Sequence, residues 1–184
     1  MQLGKIVYQS TSKLGKSFVF RYPITSDLKS VWAYINTLSK EQTYITWQGE
    51  EVSLEDEQKW LDGEIKKILE GQAIQLFVIV NEKVVGISGI TMRERAEKHV
   101  GIFGISLAKD FRNDGIGAIL LGTVLKEAGK NLEDLKIVTL GVFGNNPVAK
   151  NLYKKMGFVE YGNLPKGILH QGKPVDHLYM YKKI

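Results

Sequence analysis

The sequence contains no cysteine, which excludes disulfides, thiolate metal sites and a cysteine nucleophile. It also lacks long apolar runs. The longest, Ile74 to Val80, is interrupted by Gln75 and stops at Asn81, far short of the roughly 20 residues a membrane-spanning helix needs. Met1-Gln2-Leu3-Gly4-Lys5 shows none of the features of a secretory signal, and no Asn-x-Ser/Thr sequon occurs. A cytoplasmic protein that does not enter membranes is the expectation. What is present, 184 residues of which 43% are hydrophobic and 24% charged, excludes disorder and fibrous repeats. It predicts one domain over residues 1–184 with its own core.

The net charge of +5 is unevenly placed. Residues 1–103 hold thirteen basic and thirteen acidic side chains, whereas residues 104–184 hold twelve and seven. Within the first part, residues 41–70 carry nine acids and three lysines. One acidic and one basic region suit a protein with one cationic and one anionic ligand better than a nucleic-acid clamp, although solvated surface charge gives the same counts.

Periodicity sets the elements. Phe18–Tyr22 reads as a strand, and Thr25-Ser26-Asp27 offers caps for a helix with apolar Leu28, Val31, Trp32, Ile35 and Leu38. Ser53 caps a second helix carrying Leu54, Leu61, Ile65, Ile68 and Leu69, with Glu55, Asp56 and Glu57 in its first turn and Gly71 at its end. Between them, Tyr44-Ile45-Thr46-Trp47 is an aromatic loop, a pocket wall or a piece of core. Strands follow at 74–80, 84–91 and 99–107. A helix is predicted at 115–129, a strand at 136–142, a helix at 146–156, and strands near 158–161 and 177–181. The sum is an α+β fold, a mixed and mostly antiparallel sheet of about seven strands flanked by about four helices.

Two segments carry chemistry. In Ile105-Ser106-Leu107-Ala108-Lys109-Asp110-Phe111-Arg112-Asn113-Asp114-Gly115-Ile116-Gly117-Ala118 a strand enters the glycine-rich start of a helix. Free N–H groups and the positive dipole end there suit a pyrophosphate; glycines that merely allow close helix packing are the alternative. A dinucleotide fold would want a third glycine where Leu120 stands. Gly15-Lys16-Ser17 resembles the end of a P-loop, but Ser10 occupies its first glycine position and a strand follows. The second segment runs from Asn146 to Phe158. Asn146 is an N-cap, Pro147 the first helical residue and Gly157 the stop. Tyr153 is unexplained by capping, and core or rim packing would account for it as well.

Arg112, Gly115 and Gly117 after a strand, followed by Asn146, Ala149, Tyr153, Gly157 and Phe158, resemble the motifs of the GNAT superfamily of acyl-CoA-dependent N-acetyltransferases. The resemblance is close over about residues 75–163, and the segment from His170 to Met180 resembles the C-terminal strands of members that acetylate small amines or protein N-termini. It implies a single GNAT-like domain using acetyl-CoA as cosubstrate and no metal. In that domain the amides of Arg112, Asn113, Asp114, Gly115, Ile116, Gly117 and Ala118 hold the pyrophosphate. The backbone of Ile105, Ser106 and Leu107 pairs with the pantetheine arm between the splayed 99–107 and 136–142 strands, and an N–H there, that of Leu107, stabilises the oxyanion. Asn146 contacts the cofactor, Lys150 and Lys109 meet outer phosphates, and Tyr153 protonates the departing thiolate.

The sequence departs from the family in one respect. Many relatives carry a glutamate early in the strand before the glycine loop, and Gly101 and Ile102 stand there instead. His99 or Glu94 could serve as base, His99 could equally be a strand-end histidine, and positioning alone could suffice. Tyr44 and Trp47, with the acids Glu41, Glu50, Glu51, Glu55, Asp56 and Glu57, predict an acceptor wall for a cationic amine: a polyamine, an aminoglycoside-like amine, a protein N-terminus or a lysine. The rival reading is a non-catalytic acyl-CoA-binding regulatory module; nucleic-acid binding ranks below it. The C-terminal strands are the candidate surface for a homodimer.

Overall fold

In the computed structural model, which describes residues 1–184, alternating side chains divide one sheet between two helical layers. The elements are β1 (Ile6–Thr11), β2 (Ser17–Arg21), α1 (Leu28–Glu41), α2 (Leu54–Leu69), β3 (Ala73–Val80), β4 (Lys83–Met92), β5 (Val100–Leu107), α3 (Ile116–Asn131), β6 (Ile137–Phe143), α4 (Pro147–Lys155), β7 (Val159–His170) and β8 (Lys173–Lys183). The eight strands form one sheet in the order β1-β2-β3-β4-β5-β6-β8-β7. No helix is long and apolar enough to cross a membrane.

β3 explains the apolar run at 74–80. Leu76 and Val78 join a core with Ile90, Phe103, Val138 and Leu140 under Leu120, Leu121 and Val124 of α3. Phe77 and Ile79 point the other way, against Val31, Tyr34 and Leu38 of α1 and Leu61 and Ile65 of α2. A strand covered on both faces loses the apolar-polar alternation of a half-exposed one, and each fully buried Leu or Phe stabilises the fold by about 1.5–3 kcal/mol.

The only parallel pairing is between β5 and β6, and it is short: Val100, Gly101 and Ile102 pair with Ile137, Val138 and Thr139. Beyond these residues each strand follows its own antiparallel partner, β5 along β4 as far as Leu107 and β6 along β8 as far as Phe143. The two therefore part and open the sheet.

The structure adds β1, whose residues are nowhere fully buried, so neither an apolar run nor a clean alternation announces it. It also lengthens the last two strands: 158–161 and 177–181 are the inner parts of a long hairpin turning at Gln171 and Gly172, both with positive φ. Gly162, Pro165 and Gly167 read as breakers, but β7 lies at the edge of the sheet and absorbs them in register shifts between Glu160 and Gly162 and between Leu164 and Ile168.

Candidate active site

The opening between β5 and β6 continues into a cleft of about 930 Å³. Its first wall is backbone. Ala108 N–H bonds the Val85 carbonyl at 2.8 Å and Arg93 N–H bonds the Val100 carbonyl at 2.8 Å, so even-numbered residues of β5 turn their polar groups to β4. By the alternation of an antiparallel ladder, the N–H groups of Ile105 and Leu107 face the gap.

The second wall is the α3 N-terminus. The amides of Asn113, Asp114, Gly115, Ile116 and Gly117 donate to no protein group, whereas Ala118 N–H returns to the Gly115 carbonyl at 3.2 Å. Asn113 and Gly115 both have positive φ, which curls the loop so that successive N–H groups converge. Converging amides at a positive dipole end form an anion cradle.

Arg112 and Asp114 tie this loop to neighbouring elements. Arg112 binds Glu41 at the end of α1 with both terminal nitrogens, Nη2 at 2.9 Å, and its Nε donates to the Leu107 carbonyl at 2.8 Å. The buried Asp114 carboxylate turns away from the cleft and accepts from Leu14 N–H at 3.0 Å. Ile116 is wholly in the core. The Gly15-Lys16-Ser17 turn, dismissed as a P-loop, lies against this cradle. Lys16 Nζ donates to the Asp110 carbonyl and sits 4.5 Å over the Phe111 ring, and Lys13 Cε lies 3.7 Å from where a Cβ on Gly115 would be. Sequence separation concealed this contact.

Tyr153, on α4, lines the opening with its ring edge-on to Phe103 at 6.1 Å. Desolvation pushes its phenol up to about 12. Asn146 also lines the cleft, with its Oδ1 accepting from Ala149 N–H at 3.1 Å as the helix cap. Lys150 Nζ is bound to the Gly144 carbonyl at 2.6 Å, and neither it nor the exposed Lys109 lines the cleft. Ser106 Oγ shares a 2.8 Å hydrogen bond with Tyr34 of α1.

Tyr44 and Trp47 both line the cleft. Tyr44 stacks on His170 at 4.4 Å and donates to the Asn145 carbonyl at 3.1 Å. His99 does not line it. It lies exposed in the turn before β5, its carbonyl taking the amides of Lys136 and Ile137, at the closed end of the β5–β6 pair. Glu94 is exposed beside a separate depression with Arg93, Lys98 and Asp134. The expected acidic wall is also different: Glu41 is paired with Arg112, Glu50 accepts from Gln48 N–H, Glu55 and Asp56 flank Lys59, and none of these, nor Glu51 or Glu57, lines the cleft.

Two further titratable groups line it that the motifs did not single out. Glu64 lies one turn beyond Trp60 on the inner face of α2, and His177 is on β8. Burial lowers the imidazole of His177, whose Nδ1 lies 3.2 Å from Tyr179 Oη. The signal for Glu64 was its helical phase with Leu61, Ile65 and Ile68.

Comparison with known proteins agrees with this geometry. Residues 32–158 match the model of the "Acetyltransferase (GNAT) family". The chain is 33% identical over 107 residues to the L-amino acid N-acetyltransferase AaaT of Escherichia coli (strain K12), a match covering 58% of this chain and 65%, just under two thirds, of that protein. Among solved structures, an acetyltransferase of the GNAT family from Streptococcus pneumoniae superposes with a TM-score of 0.81 at 27% identity, over 91% of this chain and 99% of the other. That of yncA from Salmonella typhimurium with its cofactor acetyl-CoA does so with a TM-score of 0.77 at 17% identity, over 90% and 93%. A splayed β5–β6 pair leading into a cradle of free amides, on a sheet shared with these proteins, places the chain in a known group: it belongs to the GNAT family of acetyltransferases.

Proposed function

We propose that this protein transfers an acetyl group from acetyl-CoA directly to a primary amine. The observation that carries the reading is the continuous backbone track, from the free amides at 113–117 to the gap-facing N–H groups of Ile105 and Leu107, that ends beside Tyr153. The amides hold the pyrophosphate, and Lys13 adds a cation beside them. The edge of β5 pairs with the pantetheine amides as a strand would.

The amine nitrogen attacks the thioester carbonyl, and the Leu107 N–H stabilises the oxygen that gains charge. As the carbon–sulfur bond breaks, Tyr153 gives its proton to the thiolate. Its raised pKa keeps the phenol protonated through the physiological range. His177 takes the base role expected of His99. With Nδ1–H donated to Tyr179 Oη, Nε2 carries the lone pair that accepts the amine proton. The E. coli relative's printed acceptor, an L-amino acid, offers the same reacting group, a primary amine.

Thiol release from acetyl-CoA across a panel of amines and short peptides tests the reading cleanly, since the protein has no thiol. We expect release with an amine and a fall in kcat of about 100-fold in Tyr153→Phe, the usual scale of general acid catalysis. Acetyl-CoA binding by calorimetry with no release for any amine would replace the transferase by a binding module.

A further inference from the structure

On the α1–α2 side, three glycines lie abreast under the cleft. Gly89 of β4 pairs with Gly104 of β5. Gly141 of β6 stands two residues past Thr139, the partner of Ile102, and so is level with Gly104 across the gap. Two of the three are covered: a Cβ on Gly89 would overlap Gln75 Oε1, and one on Gly141 would overlap the His177 ring, whereas nothing lies within 4 Å of a Cβ on Gly104. A slot one strand wide remains, walled by an amide and an imidazole.

α2 roofs the slot. Trp60 lies parallel to Phe77 at 6.4 Å, and Phe77 is the next same-face residue after Gln75 on β3, so Glu64, one turn further along an antiparallel helix, stands over Gln75. Glu64 is 7% exposed, and its one ionic partner is Lys67 of its own helix at 2.8 Å. It is the only carboxylate lining the cleft. The only basic side chain there, Arg112, is held by Glu41 and the Leu107 carbonyl, and burial disfavours the charged form of His177. The slot therefore offers a partner for an ammonium and none for a carboxylate.

We infer that the slot over Gly104 is the acceptor subsite and that it takes an aliphatic diamine, one nitrogen reacting at Gly104 and the second, as ammonium, held by Glu64. Trp60 and Ile102 flank the methylene chain between them. A carboxylate on the carbon bearing the reacting nitrogen would enter beside His177 and Gln75 with no cation to meet it, so free α-amino acids are poor substrates.

The proposal rests on the transferase reading, and three amines of one length separate the two. We would compare 1,5-diaminopentane, lysine, which adds a carboxylate, and pentylamine, which removes the second ammonium. Turnover of any of them tests the transferase; the ratio among them tests the subsite. The diamine should exceed both others in kcat/KM by about tenfold or more, and Glu64→Gln should cut the diamine-to-pentylamine ratio by about 10- to 100-fold, the effect of losing a hydrogen bond to a charged group. Lysine turned over as well as the diamine, or a ratio unmoved in Glu64→Gln, overturns the assignment. Calorimetric titration of the CoA-loaded protein reads the same ratios without chemistry. Diamine binding lost in Glu64→Gln supports the subsite, and equal binding of diamine and lysine sinks it.

Discussion

The roles proposed for Tyr153 and His177 rest on what burial does to each. Loss of water penalises the charged form of both, so the phenol keeps its proton and the imidazole loses its own. In the proposed mechanism the acid and the base are thereby set in their working forms at neutral pH, which is the pattern of paired groups with opposed roles. The pH dependence follows with a definite sign. Base function is lost as pH falls through the His177 pKa, which lies below its ordinary 6.5, while the acid holds toward about 12. We expect kcat to fall on the acid side only below pH 6.5, with no alkaline limb in the ordinary range. In His177→Gln that acid limb should vanish and kcat should drop about 100-fold; a limb unmoved in this variant would dismiss the imidazole as base. Gly141 belongs to this argument, since any side chain there would displace the ring.

Among the elements, the glycine loop is held in shape by its neighbours. α1 contributes Glu41 to Arg112, and the β1–β2 turn contributes the Leu14 amide to Asp114. Removing one brace leaves the amides in place in the sequence but free to diverge. Glu41→Gln should weaken acetyl-CoA binding roughly tenfold, the scale of one charge-assisted hydrogen bond, and calorimetry giving the wild-type affinity would show that the loop needs no brace. α2 carries a different cost. Glu57 is buried on its inner face and desolvation raises its carboxyl to about 7. A folded-state pKa above the ordinary 4.5 means that the native state binds the extra proton, so stability falls as pH rises from 4.5 to about 7 and stays lower above that. Glu57→Gln should therefore raise the melting temperature at pH 8 by roughly 2–4 °C, about 1 kcal/mol for a chain of this size, and leave it little changed at pH 4.5. An equal shift at both pH values would assign the effect to packing.

In the whole molecule, one sheet separates the two proposed ligand sites: the free amides gather at the α3 N-terminus, the slot over Gly104 opens under α1 and α2, and the β5–β6 gap joins them. The charge asymmetry of the sequence foretold two regions but misassigned the acidic one, because six of its acids point to solvent, to Arg112 or into the α2 packing and Glu64 alone reaches the cleft. The middle strands, the four helices and the cradle were legible because their causes are local: β3 and β4 by apolar content and a short turn, α2 by the Ser53 cap, α4 by Asn146 and Pro147, and the cradle by Gly115 and Gly117 before an apolar helix. The capping residues at 146–157 likewise place Tyr153 on a helix. What the sequence could not determine is which distant residues share a space. His99 is near the glycine loop in the chain but sits at the closed end of β5, while His177, 62 residues past Gly115, stands over Gly141. Side-chain direction in a strand is fixed by its partners' register, and β8 reaches β6 only through a hairpin whose bulges no local pattern reveals. Local propensity determined the elements; strand order and register, which are non-local pairings, decided the site.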